Sequence, residues 1–342
     1  MTAGSELTST APSTRLTVLL ITYDHAEYVR RSVESILRQR IDEAFDIVVA
    51  DDGSTDDTVS ILRCYAQQNP QIRFTFLDDS QNVGITRNYQ RAFAACHSEY
   101  VAVMEGDDYW TSPHKLARQR DFLDAHWECD LCGVNYFVFD EYECRFTPRV
   151  RPASGHTVFE VRDLIADNVV SNFSTCMYRG TALAALPPAV FDLCSYDWII
   201  NICIGRSGLT GFLHQPMSVY RVHAGGAWSR LSPADKLKSQ LALLPAYDAL
   251  TGGAFHAEFR ALSARLQRGI AHAQIARLAG PVTGPLSRSL PRPLDLMPPI
   301  AVIMARLVLP PAAQRYLAGR GLLGRGREDS ADSQSLRDHG DL

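Results

Sequence analysis

The sequence has no apolar run of the roughly 18–20 residues needed to cross a bilayer. It also lacks a basic segment ahead of an apolar stretch at its start. Met1 to Thr14 are rich in Ser and Thr and read as a loose leader rather than a signal peptide, so a cytosolic location is expected. Paired metal-binding cysteine motifs are missing too. Cys129 and Cys132 form one C-x-x-C without a second pair, which is weak support for structural zinc. Cys132, Cys176 and Cys203 sit in apolar stretches and read as buried free thiols. No internal repeat is present. Charged residues make up 21% of the chain and hydrophobic ones 46%, which excludes wholesale disorder. The 342 residues suffice for one large α/β domain plus an appendage.

A strong overall charge is also absent, but the net −4 hides an asymmetry. Residues 1–229 hold 19 Lys and Arg against 29 Asp and Glu, whereas residues 230–327 hold 14 against 4. An acidic front part is a poor general binder of nucleic acid, and none is expected as a partner. The basic segment points to a different partner from the acidic one.

What is present is an alternation of strand and helix signals. Leu16 to Thr22 reads as a strand buried on both faces, as in a parallel sheet covered by helices. Tyr28, Val29, Val33, Ile36 and Leu37 follow at helical spacing. Phe45 to Ala50 is a second buried strand, and Thr55 or Asp56 can cap the helix carrying Val59, Ile61 and Leu62. Ile72 to Leu77 predicts a third strand, Thr86 to Ala95 a helix and Tyr100 to Met104 a fourth strand. Beyond Cys132 the pattern loosens. Strands are expected over Asn135 to Phe139 and Ser174 to Arg179, and helices over Val161 to Asp167 and Asp197 to Ile204. Gly211 to Arg221 leads into Val222 and His223, and residues 233–278 carry helical periodicity. The alternation predicts an α/β fold, a mostly parallel sheet with helices on both faces, followed by a helical appendage.

Three of the strands run into polar or acidic turns, where ligands bind in open α/β sheets. Glu105-Gly106-Asp107-Asp108 ends the fourth strand. Clustered carboxylates repel one another unless a cation neutralises them, and Mg²⁺ or Mn²⁺ commonly bridges such groups to substrate phosphates. A solvated acidic helix cap is the plainer reading of the same residues. Asp51-Asp52 ends the second strand, and its carboxylates can accept from a nucleobase or ribose, or simply cap a helix. Arg87 stands just after Asn82-Val83-Gly84 at a helix start, a place suited to a pyrophosphate and equally to an ordinary surface arginine.

The order of these pieces resembles the family 2 glycosyltransferases. A strand ends in Thr-Tyr, Asp-Asp-Gly-Ser-Thr-Asp follows, then Asn-x-Gly-x-x-x-Asn, then a D-x-D-like turn. The resemblance covers about the first 125 residues well and residues 170–230 more loosely. It implies a Rossmann-like GT-A fold, a nucleotide-diphosphate sugar as donor, and Mn²⁺ or Mg²⁺ as cofactor. By position it assigns Thr22 and Tyr23 to the base pocket, Asp51 and Asp52 to the base and ribose, and Arg87 to the pyrophosphate. Glu105 and Asp107 occupy the acidic places of D-x-D, with Asp107 the metal contact and Asp108 beside the donor sugar. Two departures stand out. Asp24 replaces the usual Asn after Tyr, and Glu105 is one methylene longer than the usual Asp.

On the acceptor side, Ser195-Tyr196-Asp197-Trp198 resembles the family's acidic motif, although Tyr196 stands where many members carry Glu. Asp197 is the candidate base for an inverting transfer, and a first-turn acid of its helix is the structural alternative. Trp198 reads as a stacking platform for an acceptor sugar or as core. Asn172 and Ser174, with Thr175, fall where acceptor contacts are implied. His223 resembles a late histidine that closes over the diphosphate and joins the metal, and Gly225-Gly226 would let its loop move.

The domain reading is a leader at 1–14, a catalytic domain at 15–230 with a nucleotide-sugar half at 15–125 and an acceptor half at 126–230, a basic helical appendage at 231–327 and an acidic disordered tail at 328–342. Within the appendage, residues 296–309 are strongly apolar and ringed by arginines. Residues 296–320 could lie on an anionic membrane surface, which would suit a lipid-linked acceptor; packing on the catalytic domain or on a homodimer partner is the other reading. The expected function is an inverting transferase acting on a glycan, lipid-linked or metabolite acceptor, in polysaccharide synthesis of bacterial type. Two rivals remain. A nucleotidyltransferase would want a Gly-rich basic loop after the first strand, and Tyr23-Asp24-His25-Ala26-Glu27 is not one. A non-catalytic nucleotide-sugar-binding protein would not need the acids that survive here.

Overall fold

A computed structural model describes residues 14–279 apart from 78–79, 195–196, 227 and 229–230. Three strand–helix units open the chain. Leu16–Thr22 (β1) leads to Val29–Leu37 (α1), Phe45–Asp51 (β2) to Thr58–Gln68 (α2), and Phe74–Phe76 (β3) to Ile85–Ala94 (α3). Tyr100–Glu105 (β4) is followed by the short Tyr109–Trp110 (β5) and by Lys115–Ala125 (α4). The later part holds Cys129–Asp140 (β6), Arg145–Pro148 (β7), His156–Phe159 (β8), Val161–Ala166 (α5), Met177–Arg179 (β9), Gly180–Ala184 (α6), Asp197–Ile204 (α7) and Leu209–Val222 (β10). Pro233–Leu250 (α8) and His256–Ala279 (α9) complete the described chain.

One sheet organises these elements in the order β3-β2-β1-β4-β9-β6-β10-β5, with β7 on β6 and β8 on β10. Its first half, β3-β2-β1-β4, is wholly parallel. The second half is mixed: β6 and β10 run parallel, whereas β9 is antiparallel to both β4 and β6. The mostly parallel expectation thus describes the first half of the sheet. Beyond it, short strands reverse direction instead of crossing over through helices.

All seven residues of β1 are buried, and they alternate between two cores. Leu16, Val18 and Leu20 face a layer with Val33 and Ile36 of α1, Leu62 of α2 and Leu116 of α4. Leu19 and Ile21 face the opposite layer, with Tyr89 and Phe93 of α3. Period-two alternation with apolar residues on both faces explains the unbroken hydrophobic run in the sequence. Leu244 and Tyr247 of α8, and Phe259, Leu262 and Leu266 of α9, belong to this second core. Residues 231–278, placed in the appendage by sequence, therefore contribute to the packing of the sheet. The rest of that appendage, with 296–320, lies outside the described residues, as do the acidic tail and most of the leader.

Several local expectations shift. The third strand shrinks to Phe74–Phe76, consistent with an edge strand paired on one side. The strand at 135–139 lengthens to Cys129–Asp140. The strand expected from Ser174 begins only at Met177, because Phe173–Thr175 forms a 3₁₀ turn. Asn172 caps that turn, its side-chain oxygen accepting from the Ser174 N–H at 2.6 Å. Among the described residues, no helix is long and apolar enough to cross a membrane.

Candidate active site

The carboxyl ends of β1, β2 and β4 lie side by side at one edge of the sheet. Two glycines allow the approach. Gly53 has φ +74°, and a Cβ there would lie 2.7 Å from the Asn82 nitrogen. A Cβ on Gly106 would meet Thr22 Cγ2 and His25 Nδ1, each at 2.7 Å.

Asp51 shapes its turn from within. One oxygen accepts from the Thr22 hydroxyl at 2.7 Å and the Ser54 hydroxyl at 2.6 Å, and the other from the Ser54 N–H at 2.7 Å. Asp52 is buried and accepts from the Val83 N–H at 2.8 Å, tying β2 to the Asn82-Val83-Gly84 loop. Tyr23 is half exposed beside Asp24, whose φ of 51° is left-handed and whose carboxylate accepts from the Thr55 N–H at 2.8 Å. Aspartate tolerates that conformation as asparagine does, so the departure noted in the sequence leaves the turn intact. Arg87 sits on the outer rim, half exposed, donating to Asp192 at 2.8 Å and Gln90 at 2.7 Å. One turn further along α3, Arg91 donates to the Asp51 carbonyl.

The turn after β4 gathers three carboxylates with different surroundings. Asp107 keeps 18% of its side chain exposed, and its Oδ2 lies 3.0 Å from His223 Nε2 and 3.9 Å from His25 Nε2. Burial works to raise the Asp107 carboxyl, but the His223 hydrogen bond and the nearby His25 hold it below the usual range. Glu105 accepts from the Tyr89 hydroxyl at 2.9 Å. Burial, then the charges of Asp107 and Asp108, push its carboxyl well above the ordinary value. Asp108 is 1% exposed, and its oxygens accept from Asn172 Nδ2 at 2.9 Å, the Ser174 hydroxyl at 2.6 Å and the Arg221 N–H at 2.9 Å. Burial and then Asp107 push Asp108 up to about 7. The Nδ1 atoms of His25 and His223 are buried without a hydrogen-bond partner among the described residues. Among the described residues, no three His, Cys, Asp or Glu side chains form a ready metal cage.

Asn172 joins this turn to the other candidate acid. Its side chain donates to Asp108, while its own N–H donates to Asp197 Oδ2 at 2.6 Å. Asn168 Nδ2 donates to the same oxygen at 3.0 Å. Burial raises the Asp197 carboxyl against the pull of these bonds, which suits a group that must take a proton. Asn172 holds φ at +84°, a strained conformation for a residue with a side chain. The structure thus brings Asp107, Asp108, Asn172, Ser174, Asp197 and His223 into one network, with Glu105 hydrogen-bonded to Ser174 through its backbone N–H. It does not bring Trp198 into it. That ring is 7% exposed in the core, and its N–H donates to the Leu164 carbonyl at 2.6 Å. The stacking role is corrected to packing, because Trp198 lies on the buried face of α7, where every residue after Asp197 is buried. Ser195 and Tyr196 lie outside the described residues.

The sequence reading passed over Arg221. It donates through Nε to the Asp107 carbonyl at 2.9 Å and through Nη1 to Glu141 at 2.8 Å, with its guanidinium 5.0 Å from the Tyr28 ring centre. Its neighbour His223 drew attention by type, whereas nothing in the Tyr-Arg-Val-His stretch marks an arginine that backs the acidic turn. His25 was equally visible yet unassignable without the fold.

A parallel half-sheet with acids at its strand ends is the α/β scaffold in which ligands bind at the carboxyl edge. Residues 17–179 match the model of glycosyl transferase family 2. An uncharacterized glycosyltransferase of Nostoc sp. is 34% identical over 66% of this chain and 70% of its own length. An uncharacterized protein of Mycobacterium tuberculosis is 32% identical over 62% of this chain, which spans 60% of that relative. Among solved structures, the mannosyltransferase PcManGT of Pyrobaculum calidifontis, in complex with GDP-mannose and Mn²⁺, superposes with a TM-score of 0.56 at 18% identity, over 91% of this chain and 85% of its own. TarS of S. aureus, in complex with UDP, gives 0.51 at 18% identity over 67% and 64%. The chain belongs to glycosyltransferase family 2 and has the GT-A fold.

Proposed function

We propose that the protein transfers a sugar, with inversion, from a nucleotide-diphosphate sugar to a hydroxyl of a glycan or lipid-linked acceptor. The observation that carries this reading is the run of hydrogen bonds from the Asp107 carbonyl through Arg221, Asp108 and Asn172 to Asp197. It puts an acid suited to a metal and an acid suited to a proton in one network. Support for the donor class comes from PcManGT with GDP-mannose and TarS with UDP-GlcNAc. Support for a polymeric acceptor comes from a chondroitin synthase of Escherichia coli, 32% identical over 28% of this chain and 13% of its own.

Asp107 and His223 fit a hard divalent ion such as Mn²⁺ or Mg²⁺. Asp107 Oδ2 and His223 Nε2 lie 3.0 Å apart, and these are the two atoms that would hold the ion. Two protein ligands leave positions for diphosphate oxygens. When bound, the ion would stabilise charge on the departing diphosphate. The protein's own residues do the rest. Asp52, and Thr22 through Asp51, shape the base and ribose pocket beside Tyr23. Asp108 fixes Asn172, Ser174 and the Arg221 backbone, and Asp197 Oδ1 takes the acceptor proton as the hydroxyl attacks the anomeric carbon. Arg87 would reach the pyrophosphate by exchanging Asp192 for it.

Asp107→Asn is expected to abolish the Mn²⁺-dependent thermal stabilisation by nucleotide, which for the wild type reaches about 2.7 kcal/mol at a hundredfold excess over Kd. Asp197→Asn is expected to keep that stabilisation and lose transfer by about 100-fold or more. Unchanged transfer in the second variant removes the base assignment.

A further inference from the structure

Trp198 is in the core and offers an acceptor sugar no exposed ring face. We propose that the β6–β7 hairpin is an aromatic platform that binds the carbohydrate chain of the acceptor; this rests on the proposed transfer reaction. Tyr142 is 72% exposed and Phe146 is 51% exposed, on one hairpin. Phe146 is paired with Phe139 across β6 and β7, and the two rings stack with centres 4.4 Å apart at 23°. Rings exposed to this degree are open to contact by a ligand.

The hairpin is anchored to the acidic turn by Arg221. The guanidinium that donates to the Asp107 carbonyl also holds Glu141 at 2.8 Å and lies 5.7 Å from the Phe139 ring centre. One side chain therefore touches both the reaction centre and the root of the platform. The tip is preorganised. Asp140 accepts from the Tyr142 and Glu143 N–H groups at 3.0 and 3.1 Å, and Glu143 pairs with Arg145 at 2.7 Å.

The chemistry favours sugar over lipid. Pyranose rings present an apolar C–H face that packs on an aromatic ring, and their hydroxyls donate to carboxylates. Of the three acids in residues 140–145, Glu141 is paired with Arg221 and Glu143 with Arg145, so this segment offers an anionic bilayer no arginine that is not already engaged.

The test uses the full-length chain. Wild type and the double variant Tyr142→Ala/Phe146→Ala are applied to an array of immobilised oligosaccharides and, separately, to vesicles of phosphatidylcholine and phosphatidylglycerol. The alanine variant loses the Phe139–Phe146 stack, so its thermal midpoint is measured alongside, and Tyr142→Phe/Phe146→Tyr, which keeps both rings, is expected to retain binding. The expected result is wild-type binding to at least one glycan class, weakened tenfold or more in the double alanine variant. Equal glycan binding by both proteins, no glycan binding by the wild type, or hairpin-dependent binding to vesicles alone overturns the platform. Donor hydrolysis by the wild type with Mn²⁺ is scored independently, so loss of the transfer reading is distinguishable from loss of the platform.

Discussion

At the scale of single residues, the site depends on side chains that bond to one another before any substrate arrives. Asn172 is the clearest case. Its φ of +84° would suit glycine, yet the asparagine side chain links Asp108 to the Ser174 turn. Asn172→Gly relieves the backbone strain and keeps the N–H that meets Asp197, but removes the side-chain bridge. Transfer by this variant is expected to fall by about 10- to 100-fold in kcat, the size of effect that follows a small displacement of catalytic groups, with thermal stability changed little. A loss of stability without a loss of kcat would assign Asn172 to folding alone. Asp197 offers a second measurement. In its proposed role as base Asp197 must be ionised, so the rate is expected to rise with pH through its pKa, and burial places that limb above the ordinary aspartate value of about 3.9. Asn168→Ala removes a hydrogen bond that favours the ionised form, and the acidic limb of kcat against pH is expected to move further up.

At the scale of elements, the sheet and its helices show which signals survive folding. β1, β2 and β4 were legible because residues buried on both faces leave an unbroken apolar run. The 3₁₀ turn before β9 was not, because Ser174 and Thr175 read as the start of a strand and only the Asn172 cap turns them. α4 carries a cost that sequence reading does not flag. Lys115 is fully buried, donates to Gln119 at 2.7 Å and lies 4.2 Å from the Trp110 ring centre. Burial pulls its ammonium down to about 7. The unfolded chain binds that proton up to about pH 10.4, so between about 7 and 10 the unfolded state holds more protons and stability rises with pH. Below about 7 the folded state must carry a buried charge. Lys115→Met is therefore expected to raise the thermal midpoint at pH 6 by the equivalent of about 1–4 kcal/mol and to flatten the rise above pH 7. A lower midpoint at pH 6 would show that the ammonium's contact with Trp110 outweighs its desolvation.

At the scale of the whole molecule, the described chain from β1 to α9 shares its packing. Leu244, Tyr247, Phe259, Leu262 and Leu266 enter the core that also holds Leu19 and Tyr89. A chain ending at residue 230 would expose that face, and burial of each large apolar side chain is worth about 1.5–3 kcal/mol. Such a chain is expected to unfold or aggregate on urea titration where the full chain keeps a cooperative transition. A cooperative midpoint equal to the full chain's would show that α8 and α9 are dispensable. The charge change near residue 230 reflects the surface and carries no information about what is buried. By itself the sequence determined the strand–helix alternation and the acidic strand ends, because burial periodicity and turn chemistry are local. Only the tertiary structure decided that Asp107 meets His223, that Asn172 connects Asp108 to Asp197, that Trp198 is core and that Arg221 backs the acidic turn. Those contacts join residues 25 to 116 positions apart, and local spacing does not specify which distant side chains will share a cleft.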